Sequence, residues 1–397
     1  MRMPATKSLI ETNLISQNAR AHRIAVSAFF FMHGLCFSSW ASRIPDIQAR
    51  LGLSESGLGA VLFALPVGFF MALPMSGWLI DKFGSRTVVI PSAVLYSVSL
   101  ACIGASPDRL LLVISLLTFG LAANLLNISI NTQAVIVEGL YRKKILAAFH
   151  GVWSVAGFAG AAIGTFMIGR AVLPLNHFIF IGITLVFIIS ASSFYLVRNE
   201  ERVEVSRAIF VMPDKSLIIL GMIAFCSMMV EGAMFDWSGV YFIKVVAADK
   251  ELAGAGYTSF MIAMASMRFL ADGLSNRYGL KSVLQASGVL ATVGLLIAVL
   301  FPQVMPSLFG FLLIGLGVSS VVPMVYSAAG KSKTMSAGTA ITAVSSLGFL
   351  GFLIGPPTMG FIAEAFGLRI SFFALSVMSI AVVVFSSLMS KSRRRLK

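Results

Sequence analysis

Charge is what this chain has least of. Charged residues make up 12% of its 397 positions and hydrophobic ones 58%, and its mean hydropathy is +0.92. A soluble fold of this size needs far more polar surface, so lipid is the main solvent. Cysteine is scarce too. Cys36, Cys102 and Cys226 lie in apolar runs without metal-ligand spacing, which excludes a zinc module or a disulfide framework and leaves small packing residues. There is no phosphate-binding P-loop, no zinc-ligand pair and no nucleophile elbow, and the Gly-rich stretches do not follow strands. A membrane-embedded enzyme is therefore a poor reading, and no cofactor is expected. Short alternating strands are absent as well, which excludes a β-barrel.

What is there is apolar sequence in long blocks. About 20 apolar residues cross a bilayer as a helix. On that measure the chain holds twelve spans, near 21–41, 56–79, 87–105, 109–137, 146–171, 175–197, 216–243, 254–275, 281–301, 306–329, 335–362 and 370–390. The reading is an all-α membrane protein. The first span is too long for a signal peptide and lacks a cleavage site, so it is expected to stay attached.

The net charge of +14 invites a nucleic-acid reading, but its distribution argues against one. With the N-terminus inside, seven basic residues fall outside: Arg43, Arg50, Arg109, Arg170, Lys244, Lys250 and Arg369. The rest gather in tails and inward loops, including Arg142-Lys143-Lys144, Lys331, Lys333 and Arg393-Arg394-Arg395. That bias places both termini in the cytoplasm and makes the basic excess an orientation device with added attraction to anionic lipid. No nucleic-acid partner is expected.

The longest hydrophilic interruption, 198–215, divides the spans six and six. It predicts a cytoplasmic tail over 1–20, an N-terminal bundle over 21–197, a linker over 198–215, a C-terminal bundle over 216–390 and a basic tail over 391–397. The halves also repeat. Asp81-Lys-Phe-Gly84-Ser-Arg86 recurs as Asn276-Arg-Tyr-Gly279-Leu-Lys281 at an offset of 195, which also sets Gly120 over Gly315. At an offset of 191, Gly157-Phe-Ala-Gly160-Ala-Ala-Ile-Gly164 matches Gly348-Phe-Leu-Gly351-Phe-Leu-Ile-Gly355, with Gly169 over Gly360. This is a parallel repeat about an axis along the membrane normal. Its small residues let helices pack closely.

Gly77-Trp-Leu-Ile-Asp81-Lys-Phe-Gly84-Ser-Arg86 between spans 2 and 3 resembles the signature loop of the major facilitator superfamily, Gly-x-x-x-Asp-Arg-x-Gly-Arg-Arg/Lys. Trp40-Ala-Ser-Arg43-Ile-Pro45 and Glu231-Gly-Ala-Met-Phe-Asp236-Trp-Ser resemble its fucose-permease-like branch, and within it bacterial inner-membrane proteins of the MosC/YbjJ type. The resemblance spans the whole chain. It implies a multi-pass inner-membrane transporter of sugar-like or cyclitol-like solutes, working by alternating access. It also implies that Asp81 and Arg86, with Gly77, Gly84, Glu138 and Arg142, hold the cytoplasmic gate closed. Arg268 and Asp272, at the inner end of span 8, look like the pseudo-symmetric partner of that gate. The chain departs from drug/proton antiporters, which carry an Arg in span 4 and Gly-Pro in span 5. Here span 4 has no Arg, span 5 has Gly164-Thr165, and the Gly-Pro stands in span 11 as Gly355-Pro356. The acids of fucose permeases in spans 1 and 4 are also missing.

Glu231 is the acid deepest in any span. A central charge costs about 2.5–3.5 kcal/mol on insertion scales, so it is expected to face a bundle or a wet path. Burial favours a neutral carboxyl, and a group that takes and releases a proton as its cavity opens is what proton coupling requires. Ser227 and Ser238 extend its face as a polar stripe. The bland alternative is a carboxyl that bonds a neighbouring helix and never titrates. Asp236 pairs with Arg43 as an outer gate, or is simply solvated at the interface. His33 pairs with Glu231 across the halves, or is a satisfied buried histidine. Asn124, Asn127 and Asn131 form a carboxamide ladder suited to a hydroxylated solute, or glue helices. Trp153, beside His150 and Ser154, stacks on a sugar or packs. Ser319, Ser320 and Tyr326 in span 10 are further lining candidates, with spans 1, 4, 7 and 10 expected around the cavity.

These readings converge on a monomeric, proton-linked carrier of a small polar solute, with symport ahead of export. The partners are the small molecule, protons and the bilayer. The rivals are a proton-driven exporter of amphipathic compounds and a receptor that binds its solute on the same scaffold without moving it.

Overall fold

The computed structural model describes residues 5–141, 145–198, 214–332, 335 and 337–389, with the side chains of 5–18, 147, 272, 276, 337 and 338 left aside. Fifteen α-helices run through them: α1 (Ala5–Ser42), α2 (Ile44–Leu51), α3 (Glu55–Leu62), α4 (Ala64–Phe83), α5 (Ser85–Ala105), α6 (Arg109–Tyr141), α7 (Leu146–Gly169), α8 (Pro174–Ser192), α9 (Lys215–Lys244), α10 (Ala255–Tyr278), α11 (Leu280–Leu300), α12 (Val304–Val318), α13 (Val321–Ala329), α14 (Ala337–Phe366) and α15 (Leu368–Leu388). There are no strands among the described residues. A lipid-facing backbone must satisfy its own polar groups, and helices do so.

Eleven stretches are long and apolar enough to cross a membrane, among them Glu55–Phe83, built from α3 and α4, and Val304–Ala329, built from α12 and α13. The twelfth expected span is α10, long enough at 24 residues but carrying Arg268, Asp272 and Arg277. The outer surface is greasy, with Phe187 72% exposed and Leu110 67% exposed, as a lipid-solvated bundle requires.

The two halves pack alike. In the N-terminal half α1 lies on α7 and α8, α6 on α4 and α5, and α5 on α8; in the C-terminal half α9 lies on α14 and α15, α12 on α10 and α11, and α11 on α15. The repeated motif reappears as backbone geometry. Gly84 has φ 82° and ψ 151°, and Gly279 has φ 83° and ψ 151°, a left-handed bend that glycine makes without strain. The repeated Gly120 and Gly315 each sit against a carbonyl of the facing helix, Leu65 and Phe260 respectively.

Between the halves, α3 packs on α14 and α7 on α10. Gly59 and Gly360 bring the first pair to backbone contact: a Cβ on Gly360 would lie 2.6 Å from the Glu55 carbonyl and 3.0 Å from the Gly59 Cα. Polar bonds follow the same seam. Lys244 pairs with Glu55 at 2.5 Å, and Lys250 lies 3.9 Å from Asp46. The Ser56 N–H donates to Glu364 Oε2 at 3.1 Å, Thr165 and Thr258 share a 3.1 Å bond, and Ser38 Oγ donates to Tyr257 Oη at 2.9 Å. All these lie at cavity depth or beyond it, at the end away from the chain termini. Toward the termini, Gly77, Gly139 and Gly273 would meet no neighbouring atom within 4 Å if they carried a Cβ.

Candidate functional site

A cavity of about 250 Å³ lies between the halves, lined by His33 and Phe37 of α1, Phe69 and Phe70 of α4, Ala123 of α6, Trp153 of α7, Glu231, Phe235 and Asp236 of α9, and Phe349, Phe352 and Pro356 of α14. Its walls are mostly aromatic. Phe235 packs edge-on to Phe37 with centroids 5.2 Å apart, and Phe349 bridges Phe69 at 5.7 Å to Phe352 at 6.4 Å.

At the edge of this apolar space, among the described residues, stands one ion pair. Arg268 Nη2 lies 3.3 Å from Glu231 Oε1, and Glu231 is 7% exposed. The guanidinium reaches three other places at once. Its Nη1 donates to Ser154 Oγ at 2.7 Å, its Nε donates to the Ser319 carbonyl at 3.4 Å, and its plane sits 5.4 Å from the centre of the Trp153 ring. Arginine suits this because its planar fork donates in several directions and stacks on aromatics. The Ser319 carbonyl is free for a reason written in the sequence. Four residues on stands Pro323, which has no N–H to complete the helix bond, and α12 gives way to α13 there.

Trp153 passes the network on. Its indole Nε1–H donates to His33 Nδ1 at 2.8 Å, and the His33 ring lies 5.3 Å from that of Tyr96. Glu231 and Arg268 belong to the C-terminal half, and Ser154, Trp153 and His33 to the N-terminal half. One polar chain thus crosses between the halves at cavity depth.

A family model described as Major Facilitator Superfamily matches residues 26–247 and 217–397. The chain belongs to the major facilitator superfamily. It is therefore a multi-pass membrane transporter rather than an enzyme. Among its relatives are an uncharacterised transporter of this type from Yersinia pestis, 30% identical over 362 residues that cover 91% of this chain and 94% of that one. The membrane protein MosC of Rhizobium meliloti is 31% identical over 364 residues, covering 91% and 88%. In fold the chain is similar to the nucleoside transporter NupG, with a TM-score of 0.75 at 13% identity over 93% of this chain and 100% of that one. It is also similar to the E. coli fucose:proton symporter FucP, with a TM-score of 0.64 at 15% identity over 93% and 98%.

Against the sequence-based expectations, Glu231, His33 and Trp153 share the cavity. His33 meets Glu231 through Trp153 and Arg268 rather than directly. Arg268, expected at the cytoplasmic gate, lies beside the cavity, against its lining residues Glu231 and Trp153. The Arg43–Asp236 pair does not form. Arg43, 1% exposed, bonds Asp46 at 2.6 Å, His177 Nδ1 at 3.1 Å and the Val172 carbonyl at 2.9 Å. Asp236 lies in the cavity, and among the described residues it has no hydrogen-bond or ion-pair partner.

Five polar candidates fall outside the cavity lining. Ser227 faces a small gap between α9, α11 and α12, with Ser287 and Gly317, inside the C-terminal half. Asn124 Oδ1 accepts from Ser76 Oγ at 2.9 Å, gluing α6 to α4, while Asn131 Nδ2 donates to Asn127 Oδ1 at 3.1 Å along α6 itself. Tyr326 keeps its hydroxyl buried without a partner and off the cavity wall. The lining comes from spans 1, 2, 4, 5, 7 and 11 rather than 1, 4, 7 and 10.

Of the gate motif, Glu138 Oε2 accepts from the N–H groups of Ile145 and Leu146 at 2.6 and 2.8 Å, capping the start of α7. Arg86 Nη2 donates to the Ser193 carbonyl at 3.4 Å. Gly77 and Asp81 are exposed. Arg142 lies outside the described residues, as does the side chain of Asp272. Sequence reasoning missed Phe69, Phe70, Phe349 and Phe352, for which an aromatic run in a greasy span gives no signal.

Proposed function

We propose that this transporter is a proton-coupled carrier of a small solute, captured with its cavity closed toward the outside. The observation that carries the reading is the Glu231–Arg268 pair. It is the point where a titratable group, the cavity and the seam between the halves coincide. While Glu231 is charged, it holds Arg268 against Ser154 and Trp153 of the opposite half. A proton on Glu231 removes the attraction, frees the guanidinium and weakens the mid-depth link between the halves. Solute binding and proton binding then act on one bistable element, as coupling requires. With the termini in the cytoplasm, as the basic loops favour, the joined end is outside and the open end inside, where Gly77 and Asp81 are exposed. The protein then sits in a bacterial inner membrane and works as a monomer.

A hydroxylated solute of the sugar or cyclitol kind fits through its C–H faces, which stack on Phe and Trp rings, with polar edges turned to Glu231, His33 and Trp153. The similarity in fold to a fucose:proton symporter and a nucleoside transporter accords with symport. The aromatic walls give specific support to a second reading, export of amphipathic compounds.

Proteoliposomes separate these possibilities. Solute counterflow identifies transport, whereas a receptor binds without exchange. Glu231→Gln is expected to abolish uptake driven by a pH gradient while leaving counterflow measurable. Undiminished pH-driven uptake by that variant would overturn the proton assignment.

A further inference from the structure

The cavity holds two acids, and among the described residues only one has an ion-pair partner. Glu231 has Arg268. Asp236, one and a half turns along α9, faces the same space without a partner among the described residues. Arg43 is paired with Asp46, Lys244 with Glu55 and Arg268 with Glu231. Phe37, Phe69 and Phe352 line the same cavity, and Phe352 lies so close to Gly232 that a Cβ there would meet its ring at 2.6 Å. An unpaired carboxylate among apolar walls is costly unless something compensates it. Aromatic faces carry partial negative charge and attract a cation within about 6 Å of the ring centre. An anion finds the opposite: Arg268 is occupied and the ring faces repel it.

We propose that Asp236 anchors an organic ammonium ion, so that the transported solute carries a protonated or quaternary amine on a compact apolar or hydroxylated body. This rests on the cavity being the solute site and specifies what enters it. The cavity, about 250 Å³, accommodates a small amine. The ammonium group supplies the missing countercharge at Asp236, and its body fills the space between Phe37, Phe69 and Phe352. Glu231 remains for the proton.

The test is equilibrium binding to the purified full-length protein in detergent. The probes are 2-phenylethylammonium and tetraethylammonium as cations, 2-phenylethanol as the uncharged analogue and 3-phenylpropanoate as the anion. At least one cation is expected to bind ten or more times tighter than phenylethanol, with no measurable binding of the anion. Asp236→Asn is expected to erase that preference and Asp236→Glu to retain it within about threefold. Equal affinity for the cations and phenylethanol, or an undiminished preference in a monodisperse Asp236→Asn protein, overturns the proposal. Absence of cation binding to the wild type overturns it as well. The proton-coupling reading is decided separately, by pH-driven uptake in Glu231→Gln. An ammonium preference that fails beside an intact Glu231 result therefore rejects this inference alone.

Discussion

Replacing Gly360 by alanine tests the seam between α3 and α14 directly. The added methyl would meet two backbone atoms, the Glu55 carbonyl at 2.6 Å and the Gly59 Cα at 3.0 Å. Neither can rotate away, so the helices must part. Overpacking of this kind costs about 1–3 kcal/mol, a factor of about 5–150 in an equilibrium. A methyl that clashes in one state and is free in the other moves the population toward the other. Spin labels at the exposed Pro107 and Gln303, one on each half at the end away from the termini, report that movement by pulsed electron paramagnetic resonance. Gly360→Ala is expected to raise the long-distance fraction at the expense of the short one. Gly351→Ala is the control. Its methyl would strike the Phe225 carbonyl inside the C-terminal half, so it is expected to lower the melting temperature without moving the distance distribution. If Gly360→Ala lowers the melting temperature and leaves the distances unchanged, the seam is static packing and the closed-outside reading is wrong.

Other perturbations follow from the same geometry. Arg268→Lys keeps the charge but loses the fork that reaches Glu231, Ser154 and the Ser319 carbonyl together, so solute exchange is expected to fall tenfold or more in counterflow. Trp153→Phe keeps a ring beneath the guanidinium and removes the donor to His33. A lost hydrogen bond with one buried partner left over costs about 1–3 kcal/mol, measured as weaker solute affinity. Arg43→Ala strips the shared partner from Asp46, His177 and the Val172 carbonyl, and removing one member of a buried pair costs about 3–5 kcal/mol. Its melting temperature is expected to drop while the solute affinity of the surviving folded protein stays within a few-fold.

The spans and the repeat were legible because bilayer thickness and close packing leave direct marks on sequence: apolar length in one case, glycine register in the other. Gly84 and Gly279 carried both the motif and the backbone bend. Arg268 was misplaced for an instructive reason. A basic residue near the inner end of a span reads as positive-inside topology, yet the repeat itself set that end at Asn276–Lys281. Arg268 lies eight residues before it, about 12 Å deeper at the helical rise. The structure shows what that depth means: a partly buried arginine whose Nε meets the Ser319 carbonyl left free by Pro323. The asparagine ladder failed differently. Its spacing fixes one face of α6, but which neighbour that face meets depends on how six helices assemble, and Ser76 of α4 claimed Asn124.

Polar contacts between the halves are of two sorts, and the difference bears on coupling. Those at the end away from the termini, such as Lys244–Glu55 and Ser56–Glu364, stand among exposed groups and exchange readily with water, so they fix geometry at small net energy. The Arg268–Ser154 bond is set beside an apolar cavity, where water does not compete on equal terms and a change of charge is felt strongly. On the proposed reading, a solute in that cavity meets Glu231 and Trp153, both of which contact Arg268, and so biases the same contact that a proton would. A conformational change needs ligands that interact differently with its two states, and Arg268 is placed to make that difference. Had the ion pair sat in the dry core of one half, as Ser227 does, neither event could have reached the seam.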